Sequence, residues 1–282
     1  MKLVLIKSLK YFLRLLVICI LICVQSDAIA QHGFPTFHTY QPHAKGDTLF
    51  ALIAKTDIYK SADSTSKIIA GCNAGDTLFI FETGVVNNEN YQLPEYYKVK
   101  YRSKTGYVKA ADLALARFEN EINQTTLLIS VESKNNQVYF SFKTYYLNQL
   151  TFEMLDSFYV KAFEITLTGN RGLDGIDKIL QIDHYAEACG EGGGIIYYNW
   201  TEGEIKYLAH LSDMSDGGDW HSESFVFPQD SDGVEGKVFF TAKSYELRDE
   251  EHNWEINTKE TRTYNWVYGG FDPPFKRSED EE

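Results

Sequence analysis

The feature that most constrains this chain is alternation. Residues 138–144 set Val138, Phe140 and Phe142 on one side of an extended backbone and Tyr139, Ser141 and Lys143 on the other. That is the period of a half-buried β-strand. Further strand-like runs follow at 159–167, 178–182, 195–200, 204–211, 223–227, 237–247 and 255–267. Between two of them, Asn199, Trp200, Thr201, Glu202 and Gly203 read as a hairpin connection. Residues 124–275 are therefore expected to form a large antiparallel β domain, a meander or a sandwich. Residues 110–123 read as a short helical connection into it, and the charged tail 276–282 is expected to be disordered.

Residues 46–115 carry shorter strands with a turn signal about every ten residues, the pattern of a small barrel. Thr48–Ala54 is a strand-like run, and residues 61–66 form a polar turn. Lys67, Ile68 and Ile69 lead to Gly75, Asp76, Thr77 and Leu78; Tyr96, Tyr97, Lys98, Val99, Lys100 and Tyr101 follow, and Lys104, Thr105, Gly106, Tyr107 and Val108 close the set. In this order the residues resemble the bacterial SH3-like domain, with Tyr107 where that family usually closes on tryptophan. Gly106 is read as the positive-φ residue of a tight turn. The second part is similar to the C-terminal region that accompanies SH3-like modules in exported bacterial proteins. The likeness lies in residues 175–180, 187–191 and 212–228, and it implies no known activity. The fold class expected is all-β: a small SH3-like barrel followed by a larger antiparallel sheet domain.

The N-terminus reads as an export signal. Lys2, Lys7, Lys10 and Arg14 precede an apolar run over 15–24, and Ala28 and Ala30 supply the small residues of a cleavage site. Ten apolar residues are too short to cross a bilayer, which needs about 20. Cleavage after residue 30 removes a net charge of +3, taking the whole-chain value of −13 to −13 − 3 = −16. So acidic a protein disfavours nucleic acid and anionic membranes as partners. A periplasmic or secreted location is expected, without membrane insertion after cleavage. Residues 31–45, with His32, His38 and His43, read as a flexible linker whose histidine spacing matches no compact metal site. Of four cysteines, Cys72 and Cys189 survive cleavage. They read as two separate buried thiols, with a bridge between them as the alternative.

Three acidic turns invite a calcium reading. Residues 170–177 resemble a degenerate FG-GAP loop through Asp174, Gly175 and Asp177, but calcium takes six to eight oxygens and this loop supplies few. Residues 213–219 and 230–235 read as solvated hairpin tips. His184 with Cys189 suggests a nucleophile pair, because SH3-like modules often accompany Cys–His wall peptidases of the NlpC type. The glycines at 190 and 192–194 do not suit a helix N-terminus behind such a cysteine, however. Ser222 and Ser224 flank His221 without a nucleophile elbow. No catalytic residue, metal or cofactor is expected.

The resemblance implies a binding role for the first module. Tyr59, Tyr96, Tyr101 and Tyr107 are the candidate contacts to a peptide, a peptidoglycan fragment or an envelope protein, with the proviso that some of the four belong to the core. The alternatives are an envelope hydrolase with a site near His184 and Cys189, and a structural protein stabilised by calcium.

Overall fold

The computed structural model describes residues 36–39, 41–82, 94–134, 137–158, 160–185, 192–249 and 254–276. The export signal, Cys189 and most of the charged tail lie outside them. The chain is all-β. In order the strands are β1 (Phe37–His38), β2 (Thr48–Ala51), β3 (Thr56–Tyr59), β4 (Ile68–Cys72), β5 (Thr77–Glu82), β6 (Tyr96–Tyr101), β7 (Lys104–Lys109) and, after a 3-10 turn at Ala110–Asp112, β8 (Leu113–Ala114). Then come β9 (Ala116–Asn120), β10 (Thr125–Lys134), β11 (Gln137–Tyr146), β12 (Gln149–Phe158), β13 (Ala162–Gly169), β14 (Lys178–Tyr185), β15 (Gly193–Thr201) and β16 (Glu204–Asp216). The last four are β17 (Asp219–Val226), β18 (Lys237–Asp249), β19 (Trp254–Val267) and β20 (Gly270–Asp272).

Strands β2 to β8 make one sheet in the order β4-β3-β7-β6-β5-β2-β8. Alternate residues turn inward to a core of their own, with Leu49, Ile58, Leu78, Val99 and Val108 each at most 1% exposed. Gly106 serves this sheet in a way its sequence context hides. It lies within β7, and the positive φ of the β6–β7 turn belongs to Arg102 (φ 53°). What Gly106 provides is room: a Cβ there would lie 2.6 Å from the Tyr59 carbonyl oxygen and 2.7 Å from Ile58. Its missing side chain lets β7 pack against β3.

The stretch expected to be a helical connection is instead the 3-10 turn, β8 and β9. Only Leu115 separates β8 from β9, which opens the next sheet. That sheet runs β12-β11-β10-β9, and it packs on a nine-stranded sheet ordered β1-β13-β14-β15-β16-β17-β18-β19-β20. Val138, Phe140 and Phe142 all turn into the core between the two, against Phe163, Ile182, Tyr198 and Trp200. The lead-in before the first sheet is also partly structured. Phe37 pairs with Phe163 as strand β1, its ring 5.5 Å away, and the His43 N–H donates to the Tyr97 hydroxyl at 3.2 Å. Burial of the Phe37 ring overrides the polar, proline-containing context that suggested a free linker.

The nine-stranded sheet has a second core. In register, Leu211 on β16 and Phe225 on β17 fall on opposite faces, yet both pack into it. The ladder between β16 and β17 covers only residues 213–216 and 219–222 before the strands part. Beyond it β17 crosses the back of β15, where the Phe225 ring lies 5.7 Å from Tyr197.

Candidate functional site

Two places gather side chains with chemistry. The first is the outer face of the first sheet. Alternation in β6 and β7 turns Tyr96, Lys98 and Tyr107 outward, and cross-strand register sets Tyr59, Tyr107 and Lys98 in one row. The Tyr59 and Tyr96 rings meet edge to face at 6.4 Å and 85°. All three tyrosines are half-buried. Lys98 is paired to Glu82 at 2.6 Å and lies 5.3 Å from the ring of Phe81, which together with Phe79 is exposed on the neighbouring strand.

Tyr101 does not belong to this face. It takes the inward parity of Tyr97 and Val99, and its hydroxyl donates to Asp76 at 2.7 Å. Burial and that carboxylate push its hydroxyl up to about 12. It is a core residue.

Charge is unevenly shared between the parts. Residues 46–115 hold 8 basic and 8 acidic side chains, a net of zero, whereas residues 116–282 hold 14 basic and 31 acidic, a net of 14 − 31 = −17. The tyrosine face therefore sits in the neutral part of an acidic protein.

The second place lies at the end of the core between the four- and nine-stranded sheets. His184 stands on β14 and His210 on β16, with β15 between them. Neighbouring strands lie about 4.8 Å apart, so the two backbones are roughly 10 Å apart. The imidazoles nonetheless meet, Nε2 to Nε2, at 2.8 Å. They do so diagonally over β15, on which Gly194 is the register partner of His184 and Ile196 that of His210. Gly194 is itself constrained, because φ is 148° and a Cβ would lie 2.0 Å from the Leu211 carbonyl oxygen. Phe158 on β12 covers the pair, its ring 6.0 Å from His210 and 6.5 Å from Tyr198. The Tyr198 hydroxyl donates to Asp156 at 3.2 Å, and burial followed by that carboxylate raises its pKa out of reach of ordinary conditions.

The other sequence candidates find structural partners. His221 faces neither Ser222 nor Ser224, which lie on the opposite side of β17. Its Nδ1 meets Ser244 of β18 at 2.7 Å, while Nε2 lies 3.4 Å from Glu223. Two of the acidic turns do come together, around a cation the protein itself supplies. Arg171 Nη2 donates to both oxygens of Asp230 at 2.7 and 2.6 Å, and its guanidinium lies 4.1 Å from the Phe227 ring. Asp177 Oδ2 accepts from Asn120, Asn123 and the Glu202 N–H, tying three turns together. Among the described residues no three His, Cys, Asp or Glu side chains converge on a metal-sized site. Cys72 is a buried free thiol donating to the Thr56 carbonyl.

The His184–His210 and His221–Ser244 pairs escape a sequence reading because 26 and 23 residues separate their members. The only trace was parity, since Ile182 and His184 alternate inward together. No family model matches the chain, and no curated protein matches it.

Proposed function

We propose that this is an exported, non-enzymatic binding protein of the cell envelope, whose first sheet is an SH3-like module that docks a ligand on its outer tyrosine face. The observation that carries this reading is the convergence of Tyr59, Tyr96 and Tyr107 with Lys98 on one face. Tyrosine offers a flat apolar ring with a polar tip, and two rings set edge to face form a rigid shelf for an extended chain or a sugar. The neutral charge of residues 46–115 suits anionic ligands that the rest of the protein repels. A peptidoglycan fragment, with its carboxylate-bearing peptide, fits that chemistry.

The test uses the full-length mature chain, because the first sheet shares core contacts with the second. Isolated peptidoglycan and an envelope extract are offered to wild type, Tyr59→Ala and Tyr107→Ala. The expected result is binding by wild type that falls several-fold in both variants while the melting temperature of Tyr59→Ala stays within a few degrees. If wild type retains nothing from either source, or both variants bind as it does, the reading fails.

A further inference from the structure

We propose that the open face of β17, β18 and β19 binds a polysaccharide built of uronic acids, sugars that carry a carboxylate. In β18, Val238, Phe240 and Ala242 turn into the second core, so Lys243 and Tyr245 turn to the opposite side. Register sets Trp220 of β17 and Asn257 of β19 on either side of Tyr245. It likewise sets Ser222 and Lys259 on either side of Lys243. The Trp220 and Tyr245 rings lie nearly parallel, 6.5 Å apart at 9°, and Trp220 is 38% exposed. The Tyr245 hydroxyl donates to Glu255 at 3.0 Å, and the Asn257 amide donates to the other oxygen of that carboxylate at 3.2 Å. Glu255 thus holds both the ring tip and the amide in place.

Folding alone does not account for two features of this face. A tryptophan stays open to solvent beside a parallel tyrosine, and Lys243 stands directly opposite Lys259. Like charges so placed destabilise a sheet. Both lysines are exposed, and among the described residues neither is ion-paired. An anion set between them removes the repulsion. The acidic body does not cancel this local charge. Glu246 and Glu260 share the parity of Ala242, on the other side of the sheet, and Glu255 is engaged by Tyr245 and Asn257. Asp213, in the same row as the lysines, is two strands from Lys243, about 10 Å. Charges beyond about 8 Å are largely screened at physiological ionic strength, so the facing lysines govern what lies on them. The C–H-lined face of a sugar ring stacks on an aromatic ring, whose own face is negative. The lysine row lies two residues along from the aromatic row, about 7 Å. A sugar over Trp220 and Tyr245 therefore sets its carboxylate toward the two ammonium groups, with Ser222 and Asn257 beside its hydroxyls. The site is separate from the tyrosine face of the first sheet, and its test is independent of it.

The experiment is affinity electrophoresis of the mature chain through gels holding polygalacturonate, its methyl-esterified form, or neutral dextran. Wild type runs beside Trp220→Ala and the doubly substituted Lys243→Gln, Lys259→Gln protein. The proposal expects polygalacturonate to retard wild type, more weakly as salt is added, and the two uncharged polymers to leave it unretarded. Affinity should fall several-fold in both variants. The lysine double variant should melt no lower than wild type, because the substitution removes a repulsion. It therefore remains a valid test even if Trp220→Ala loses stability. No retardation of wild type, equal retardation by the esterified polymer, or unchanged affinity in the lysine double variant would overturn the proposal. So would single-stranded DNA or polyglutamate competing as strongly as polygalacturonate, since the face would then select negative charge and not a sugar.

Discussion

Glu223 Oε2 accepts the backbone N–H of Ser212 at 2.9 Å, just where the β16–β17 ladder ends. In an unbroken hairpin that N–H would belong to the ladder. A side chain only 1% exposed takes it over, and the two strands are free to part. Phe225 and Phe227 then reach Tyr197 and complete the second core. His221, held by Ser244, flanks the same carboxylate. The three residues act as a brace for the divergence.

Glu223→Ala leaves the N–H of the half-buried Ser212 without its acceptor. A loss of about 1–3 kcal/mol is expected in urea unfolding, with Glu223→Gln recovering part of it through its remaining carbonyl. Equal stability of wild type and the alanine variant would show that the brace contributes nothing.

Gly106→Ala should be among the most damaging single changes in the first sheet. The new methyl meets a backbone oxygen and two apolar side chains at under 3 Å. Overpacking of this kind costs about 1–3 kcal/mol, and the rigid backbone partner argues for the upper end. The same substitution at Gly46, where a Cβ meets nothing within 4 Å but φ is 97°, reports conformational strain alone.

Asp230 gives the fold an acid-sensitive fastening. Burial works against its ionised form, but Arg171 and the Phe227 N–H outweigh it and hold the carboxyl below the usual carboxylate range. A depressed folded-state pKa stabilises the fold fully above the unfolded value, and that contribution fades as pH falls through the folded value. Asp230→Asn should therefore melt below wild type at about pH 6, with the gap closing toward about pH 3. A gap that stays constant across that range would contradict the assignment.

Cys72 should be chemically silent in the native protein. Burial, reinforced by Asp76 and Asp57, pushes its thiol up to about 12, so almost no thiolate exists at neutral pH. In a Cys189→Ser background, a disulfide reagent is expected to find no mature-chain thiol before denaturation and one after. Rapid labelling of the folded protein would show that Cys72 is accessible.

Strand content was legible wherever one face is apolar and the other polar, as at Val138, Phe140 and Phe142. It was hidden where pairing partners supply the reason for extension. The second half of β16 carries Asp213, Ser215 and Asp216 and reads as an acidic loop, yet it is a strand because β17 hydrogen-bonds along it. Residues 116–120 fall in the stretch 110–123 expected as a short helical connection, and they form β9 instead. Arg117 and Glu119 pair at 2.6 Å on one side of β9, while Phe118 packs into the core on the other. Tyr59, Tyr96 and Tyr107 share a face, and what sets Tyr101 apart is its parity with Tyr97 and Val99 in β6, opposite to that of Tyr96. The His184–His210 pair depends on two successive hairpins that set β14 and β16 on either side of β15, a relation that no window of sequence contains.

Leu52 and Ala114 of the first sheet are buried against Leu128 and Tyr145 of the second, and the Tyr145 hydroxyl donates to the Leu52 carbonyl at 2.8 Å. Asn148, at the β11–β12 turn, accepts from the Ala74 N–H at 3.0 Å. The chain reaches the first sheet from β1 and leaves it through β9, so both covalent exits are pinned to the same body. Such an insertion has no swivel. Nuclear relaxation should return one rotational correlation time for both parts, and whatever grips the tyrosine face will turn the acidic sheets with it rather than dangle from them on a tether.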